Sequence, residues 1–150
     1  MQLLRAYPVH FLKDNLNVNK VSIFTDGASR GNPGPAAIGC VIKDEKGNIV
    51  ASISRCLGAT TNNQAEYRAI IAALEKAVSL GARQVALYSD SELVVKQING
   101  LYKIKHAALR PLYMEVVKLT GALESFKIAH IPREQNAAAD ALANKALDSI

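Results

Sequence analysis

Apolar and polar residues follow two different periods along this chain, and the periods divide it into strand-like and helix-like stretches. Runs rich in β-branched residues predict five strands, at 21–25, 37–43, 48–56, 84–89 and 126–131. Apolar positions at helical spacing predict a first helix that follows the capping cluster at residues 60–63 and runs to Leu80, and further helices over 91–98, 111–123 and 136–148. The predicted element order is therefore βββαβααβα.

The connections between these elements predict how the strands pair. The second and third strands are joined by the short loop Asp44–Gly47, which is typical of a hairpin and predicts antiparallel pairing. The later strands are linked through helices, which favours parallel pairing. We therefore expect an α/β fold, with a mixed five-stranded sheet and helices on both of its faces.

The predicted sheet and helices all lie within residues 21–150, which we expect to form one domain. Its hydrophobic fraction of 49% and charged fraction of 21% are ordinary for a globular protein with a buried core. Residues 1–20 carry apolar side chains without a clean period, so we interpret them as an N-terminal extension of open role. A separate binding module is the alternative, but so short a segment cannot bury its own core.

Charge and cysteine content narrow the class of protein. A net charge of +5 favours a polyanionic partner. Cys40 and Cys56 match neither a disulfide framework nor a metal-ligand spacing, so we interpret them as reduced, buried apolar residues. We find no apolar run of about 20 residues and no cleavable signal segment. The sequence therefore predicts a soluble, cytoplasmic protein that does not associate with membranes.

Four carboxylates lie at the ends of predicted elements. Asp26 and Asp90 each follow a strand, whereas Glu66 and Asp140 lie near the starts of the first and last helices. A single acid at such a position is most often solvated or caps a helix. Neighbouring strands would bring Asp26 and Asp90 together at one edge of the sheet. Four clustered acids repel one another, so we expect a cation to stabilise the group.

Divalent metal ions suit such a cluster better than other cofactors. Mg²⁺ prefers oxygen ligands, and two such ions roughly 3.5–4 Å apart can activate water and stabilise a leaving oxygen in phosphodiester cleavage. The chain has no Cys or His pairs at zinc-ligand spacing, no phosphate loop and no dinucleotide fingerprint. No serine lies in a nucleophile elbow, although a Ser-His-Asp triad is not excluded by counting. We expect no small organic cofactor.

Four segments of the chain resemble a known family. They read FTDGASRGNPGPAAIG, TTNNQAEYRAIIAAL, YSDSELVVKQING and IPREQNAAADALANKAL, and the resemblance runs from about Val21 to Leu147. In this order they are similar to the type 1 ribonucleases H. The resemblance implies an RNase H-like sheet order of 3-2-1-4-5 and two Mg²⁺ or Mn²⁺ ions. It also implies endonucleolytic hydrolysis of RNA in RNA–DNA hybrids, leaving 3′-hydroxyl and 5′-phosphate ends.

The same resemblance assigns roles to individual residues. The metal ligands would be Asp26, Glu66, Asp90 and Asp140. Asn32, Asn62 and Asn63 would contact the minor groove of the hybrid. Backbone groups of Gly27, Ala28, Ser29 and Arg30 would face the RNA strand. Thr61 would lie at a phosphate of the DNA strand. Carboxamides suit a groove that displays 2′-hydroxyls, because they both donate and accept hydrogen bonds. Helix capping by the Thr-Asn-Asn group is the alternative, and the two roles can coexist.

The chain departs from many family members in two places. Many carry a basic, Trp-rich handle after the third helix, but this chain has only residues 101–110 there and no Trp. Tyr102, Lys103 and Lys105 are either a remnant of the handle or a solvated connector. Many also carry a flexible His-bearing loop before the last aspartate, for which 131–136 is too short. We interpret His130 as structural and Arg133 as the equivalent cationic residue.

The two departures indicate the handle-less subgroup of the family, and the expected protein is a monomer that binds RNA–DNA hybrids. Two other functions remain open on the residues alone. One is a resolvase-like or transposase-like nuclease on the same fold. The other is a non-catalytic nucleic-acid-binding module, which retention of all four acids disfavours because a polyanion repels them.

Overall fold

The structure is a computed structural model, which describes residues 18–150. The expected extension at 1–20 therefore lies almost wholly outside the described residues. Five strands are present: β1 (Lys20–Ser29), β2 (Gly34–Lys43), β3 (Ile49–Thr60), β4 (Gln84–Ser89) and β5 (Ser125–His130). Four α-helices accompany them: α1 (Asn62–Ser79), α2 (Glu92–Ile98), α3 (Arg110–Thr120) and α4 (Ala137–Asp148). Short 3₁₀ turns at Ala107–Leu109 and Arg133–Gln135 precede α3 and α4.

The strands form one sheet in the order β3-β2-β1-β4-β5. Strands β1, β2 and β3 pair antiparallel, whereas β4 pairs parallel with both β1 and β5. This confirms the predicted mixed sheet, its strand order and the antiparallel hairpin. The parallel strands require helical crossovers, which α1 and α2–α3 supply.

Strand β1 continues past the point where the sequence predicted its end. Asp26 was expected to follow the strand, with Gly27 stopping it, but β1 runs to Ser29 and stays paired with β2 from Ser22 to that end. The prediction was wrong because Gly27 has another purpose than ending a strand. A Cβ atom at Gly27 would lie 2.3 Å from the carbonyl carbon of Ala65 in α1, so the bare glycine lets the helix approach.

A second glycine admits a helix to the opposite face of the sheet. A Cβ atom at Gly39 would lie 2.1 Å from the carbonyl oxygen of Ala139 in α4. Gly39 pairs with Asp26, the neighbour of Gly27, and successive residues of a strand face opposite sides. Helices α1 and α4 therefore cover opposite faces at adjacent points, which confirms the predicted two-sided packing.

The core lies mainly between the sheet and α1. Its fully buried side chains include Ile23, Ile42, Leu87, Ile70 and Leu74. Helix α3 packs on the outer side of α1 through Val116, and it ends at Thr120 rather than near residue 123 as predicted. Within residues 18–150, no helix combines the length and the hydropathy needed to cross a membrane.

The two cysteines differ in a way that the sequence did not indicate. The Cys40 thiol is buried and donates to the Ala69 carbonyl oxygen, and burial raises its pKa to about 12. Cys56 is exposed on the edge strand β3, so its predicted burial was wrong. The edge position explains the exposure, because β3 has no strand neighbour beyond it in the sheet.

Candidate active site

Three of the four predicted acids meet at the end of β4. Asp26, Glu66 and Asp90 each offer a carboxylate oxygen, and these three oxygens lie within 4.8 Å of one another. The parallel register of β1 and β4 aligns Thr25 with Ser89, so the residues that follow them, Asp26 and Asp90, come out side by side. Asp26 is buried, whereas Asp90 is partly exposed.

Glu66 reaches the cluster from the second turn of α1. Its Oε1 atom accepts a hydrogen bond of 2.8 Å from the backbone N–H of Gly27, and the residue is buried. The start of α1 is fixed by Thr61, whose side chain caps the helix in a capping box with Gln64. The same glycine that admits α1 thus holds the carboxylate carried by α1.

Asp140 lies beside this trio rather than within it. It is the fourth residue of α4 and half-buried, and its charge raises the pKa of Asp26. Asp26 faces the same side of the sheet as Gly39, where α4 packs, which brings the two carboxylates together. The Nη2 atom of Arg133 lies 3.8 Å from Oδ1 of Asp140, and the Arg133 side chain is 80% exposed.

The electrostatics of the cluster favour either protons or a cation. Burial, followed by the charges of Asp90 and Asp140, raises the pKa of Asp26 from 3.8 to about 7, although the Arg133 charge lowers it. Burial, followed by the charges of Asp26 and Asp90, raises the pKa of Glu66 well above its ordinary value. The donors are all carboxylate oxygens, which are the ligands that Mg²⁺ and Mn²⁺ prefer. The residues present therefore fit a hard divalent metal ion.

Asn136 belongs to the site although the sequence pattern indicated no role for it. It is 1% exposed and precedes α4, where an asparagine would be read as a helix cap. Instead of capping, its Nδ2 atom donates to the Thr25 carbonyl oxygen at 2.8 Å and to Asp90 Oδ2 at 3.2 Å. No sequence signal separates this arrangement from ordinary capping.

The predicted DNA-strand and minor-groove residues meet around the start of α1. The backbone N–H of Asn62 donates to Asn32 Oδ1 at 2.9 Å, which ties the glycine-rich loop to the helix. A groove of about 840 Å³ begins here and extends to the connector between α2 and α3. Its lining includes Asn32, Thr61, Asn63, Gln64, Tyr102, Lys103, Lys105 and His106, with no carboxylate among its residues. Two sets of residues that the sequence left unconnected thus share one surface.

The residues predicted to face the RNA strand follow Asp26 along β1. The pairing of β1 with β4 ends at Thr25, so Gly27, Ala28 and Ser29 pair with β2 alone. Their other backbone edge has no strand partner within the described sheet. Arg30 continues this segment, and its guanidinium donates to Asp148 Oδ1 at 2.5 Å on the exposed surface.

Similarity to known proteins decides which family this site belongs to. A family profile described as reverse transcriptase-like matches residues 24–146. The chain is 46% identical over 129 residues to ribonuclease HI of Halobacterium salinarum, covering 86% of this chain and 65% of that protein. The crystal structure of RNase H1 from that organism matches with a TM-score of 0.85, covering 87% of this chain and 99% of that one. The chain belongs to the type 1 ribonuclease H family.

Another ribonuclease H structure of this family carries substrate. LC11-RNase H1, crystallised in complex with RNA/DNA hybrid, is 44% identical to this chain and matches with a TM-score of 0.82. The match covers 86% of this chain and 97% of that one.

The chain departs from many family members at the two places that the sequence indicated. Residues 99–106 form a connector without a helix, where the handle would lie. Residues 131–136 form a short 3₁₀ turn, which leaves no room for a long loop. His130 is the last residue of β5 and is exposed, so it fills no place in the core.

Proposed function

We propose that this chain is a metal-dependent endonuclease that hydrolyses the RNA strand of RNA–DNA hybrids. The observation that carries the proposal is the buried convergence of Asp26, Glu66 and Asp90, with Asp140 beside them, in a chain of the ribonuclease H family. A relative of 44% identity that is crystallised with RNA/DNA hybrid supports the substrate.

Asp26, Glu66, Asp90 and Asp140 would hold two divalent cations, Mg²⁺ or Mn²⁺. When bound, these ions would supply an activated water and stabilise the leaving oxygen, so that products carry 3′-hydroxyl and 5′-phosphate ends. The chain contributes four carboxylates that are fixed by regular elements. Asp26 and Glu66, whose pKa values are raised, would each lose a proton to the solvent on metal binding, and β1, α1 and α4 already hold Asp26, Glu66 and Asp140 in place.

Recognition of RNA would come from the segment next to Asp26 and from the asparagines at the start of α1. Beyond Thr25 no strand covers the outer backbone edge of β1, so the backbone of the partly exposed Ala28 and Ser29 is open to an approaching RNA strand. The backbone N–H of Gly27 is already bonded to Glu66. Asn32, Asn62 and Asn63 can donate to and accept from 2′-hydroxyls in a minor groove. Asn32 Oδ1 already accepts from Asn62, so its Nδ2 atom is the group left to donate.

The DNA strand would occupy the groove that starts at Thr61. Tyr102, Lys103 and Lys105 lie along the same groove as Thr61 and Asn63, which supports a handle remnant over a solvated connector. Lysines neutralise phosphates without reading sequence, and an aromatic ring offers a stacking surface. The absence of carboxylates from this lining fits a polyanionic strand.

Arg133 would assist product release in place of the loop histidine. Its side chain is exposed and its guanidinium lies near Asp140, so it can contact a phosphate at the metal site and still reach solvent. An exposed cation at that point would attract the newly formed 5′-phosphate.

Cleavage of four labelled substrates tests the proposal. Single-stranded RNA, RNA–DNA hybrid, double-stranded RNA and double-stranded DNA are incubated with and without Mg²⁺ and resolved on a gel. We expect cleavage of the hybrid alone, dependent on Mg²⁺ and lost in Asp26→Asn. Cleavage of double-stranded DNA would favour the resolvase-like alternative. Binding of hybrid without any cleavage in Mg²⁺ or Mn²⁺ would favour the non-catalytic module.

A further inference from the structure

Asn136 connects three parts of the site through its side-chain amide and its backbone carbonyl. Its Nδ2 atom donates to the carbonyl oxygen of Thr25, the residue before Asp26, and to Oδ2 of Asp90. The backbone carbonyl oxygen of Asn136 accepts from the backbone N–H of Asp140 at 3.1 Å. One buried residue therefore touches Asp90 directly and the two segments that carry Asp26 and Asp140.

The burial of this carboxamide is not explained by helix capping. Asn136 precedes α4, yet its side chain makes no cap hydrogen bond to that helix. Its Oδ1 atom is buried without a hydrogen-bond partner in the described structure, and so is Oγ1 of Thr25. Leaving a buried acceptor unpaired costs about 1–3 kcal/mol. The two Nδ2 contacts must therefore serve something other than the stability of the helix start.

Asp90 is the acid that most needs an external restraint. It lies just beyond β4, is partly exposed, and faces the charges of Asp26 and Glu66 within 4.8 Å. Repulsion would turn the Asp90 side chain outward into solvent, where it could not share a cation with the other two. A neutral N–H donor can hold the carboxylate inward without adding a positive charge that would compete with a metal ion.

We infer that Asn136 is a positioning residue, which holds Asp90 against Asp26 and thereby sets the affinity of the acid cluster for Mg²⁺. The effect of Asn136 on catalysis rests on the proposed function. Its effect on Mg²⁺ affinity rests on the geometry of Asn136 and the acid cluster alone. Asn136 does not line the groove beside α1, so it has no direct part in holding the nucleic acid there.

Two substitutions with opposite effects on packing isolate the hydrogen bonds. Asn136→Leu removes both donors and adds bulk in a buried position, whereas Asn136→Ala removes the donors and leaves a cavity. Asn144→Ala is the matched control, because Asn144 is an amide on α4 that donates only to the Asp140 carbonyl oxygen. Val116→Ala is the stability control, since it weakens the core on α3 away from the acids.

The decisive measurement is Mg²⁺ binding by calorimetry on the full chain without nucleic acid. We expect the dissociation constant to rise about tenfold or more in Asn136→Leu, the range typical of lost partners of metal ligands, and to stay within about twofold in both controls. With hybrid as substrate, kcat at fixed Mg²⁺ should fall by a similar factor, while KM for hybrid changes by less than about twofold.

The outcomes separate this inference from the proposed function. Unchanged Mg²⁺ affinity in a folded Asn136→Leu or Asn136→Ala would overturn the positioning role, whether or not the wild-type chain cleaves hybrid. If Asn136→Leu binds Mg²⁺ more weakly but the wild-type chain cleaves no substrate, the positioning role is supported and the proposed function is refuted. A loss of affinity equal to that of Val116→Ala would reveal a general effect of instability and would also overturn the inference.

Discussion

The acid cluster and the basic groove beside it are built in opposite ways. Asp26, Glu66 and Asp140 lie on regular elements and are buried or half-buried. Glu66 accepts a hydrogen bond from the Gly27 backbone, and Asp90 accepts one from the buried amide of Asn136. Tyr102, Lys103 and Lys105 lie on an irregular connector and are exposed. Chemistry at a metal site depends on positions fixed to within a fraction of an ångström, whereas attraction of a phosphate strand depends mainly on charge. The contrast predicts steep losses from changes in the cluster and shallow ones from changes in the groove.

The largest effect should come from the centre of the cluster. Asp26→Asn is expected to lower Mg²⁺-dependent cleavage of hybrid by at least about a thousandfold, because it removes a charged metal ligand that no neighbour can replace. Initial rates on labelled hybrid measure it. Glu124→Gln removes the same charge at the opposite end of β4, beside Arg83, and should leave the rate unchanged. Near-normal turnover in Asp26→Asn would contradict the role of the cluster.

The second effect is a loss of metal-free stability as pH rises. The pKa of Asp26 in the folded chain lies near 7, above its ordinary 3.8, and that of Glu66 is also raised, so the folded chain binds more protons than the unfolded one between these values. The protonated acids therefore contribute fully to the free energy of unfolding below about pH 4. This contribution, on the order of a few kcal/mol, is lost as pH rises through about 7. Melting curves in chelator measure the trend.

Two variants check the cause of that trend. In chelator near neutral pH, Asp26→Asn and Asp90→Asn should melt at a higher temperature than the wild-type chain, since each removes one of the repelling charges. Added Mg²⁺ should raise the melting temperature of the wild-type chain above pH 7 and of the variants less. A clear loss of metal-free stability in both variants would show that the acids do not repel one another.

A smaller effect is expected at the border between the two regions. Arg133→Ala should slow turnover by about tenfold with little change in KM, because under the proposed function the exposed cation beside Asp140 would act on the departing phosphate. Steady-state kinetics at several hybrid concentrations separate the two constants. Arg83→Ala, which breaks an exposed ion pair with Glu124 far from the cluster, is the control. A pure rise in KM would assign Arg133 to the anchoring of substrate.

The smallest effect should come from the groove. Replacing Lys103 and Lys105 together by alanine is expected to raise KM for hybrid several-fold at unchanged kcat, and to reduce the salt dependence of binding by about two counterions. Fluorescence anisotropy with labelled hybrid across a salt series measures both quantities. Lys127→Ala, on the exposed surface of β5, serves as the control. An unchanged salt slope would indicate that residues 101–106 are a solvated connector.

The sequence predicted the fold well because its elements carry clear periods and recognisable caps. Thr61 and the alanines after it define α1, and the β-branched runs define the five strands. Their order in the sheet was implied by the family resemblance, and it is confirmed. Gly27 was misread because a glycine after a strand usually marks a turn, and only the packing of α1 shows its real use. The burial expected at Cys56 failed for a related reason, since edge position depends on the whole sheet.

Some residues of the candidate site could be predicted from the sequence, and others depend on tertiary contacts. Acids at element ends can be recognised from the chain, although their roles remain predictions until the variants are measured. Asn136 could not be recognised, because its role depends on contacts with Thr25 and Asp90, which lie 111 and 46 positions away in the sequence. The union of Thr61 with Lys103 and Lys105 in one groove is likewise a product of tertiary structure.

The two glycines at which α1 and α4 meet the sheet limit the substitutions that can raise the thermal stability of this protein. Gly27 and Gly39 occupy strand positions where general propensity would recommend valine or isoleucine. Either replacement would push away the helix that carries Glu66 or the one that carries Asp140, since even a methyl group would overlap backbone atoms there. Thermostabilising libraries should therefore leave both positions untouched and draw their gains from the outer surface of α3 and the edge strand β3.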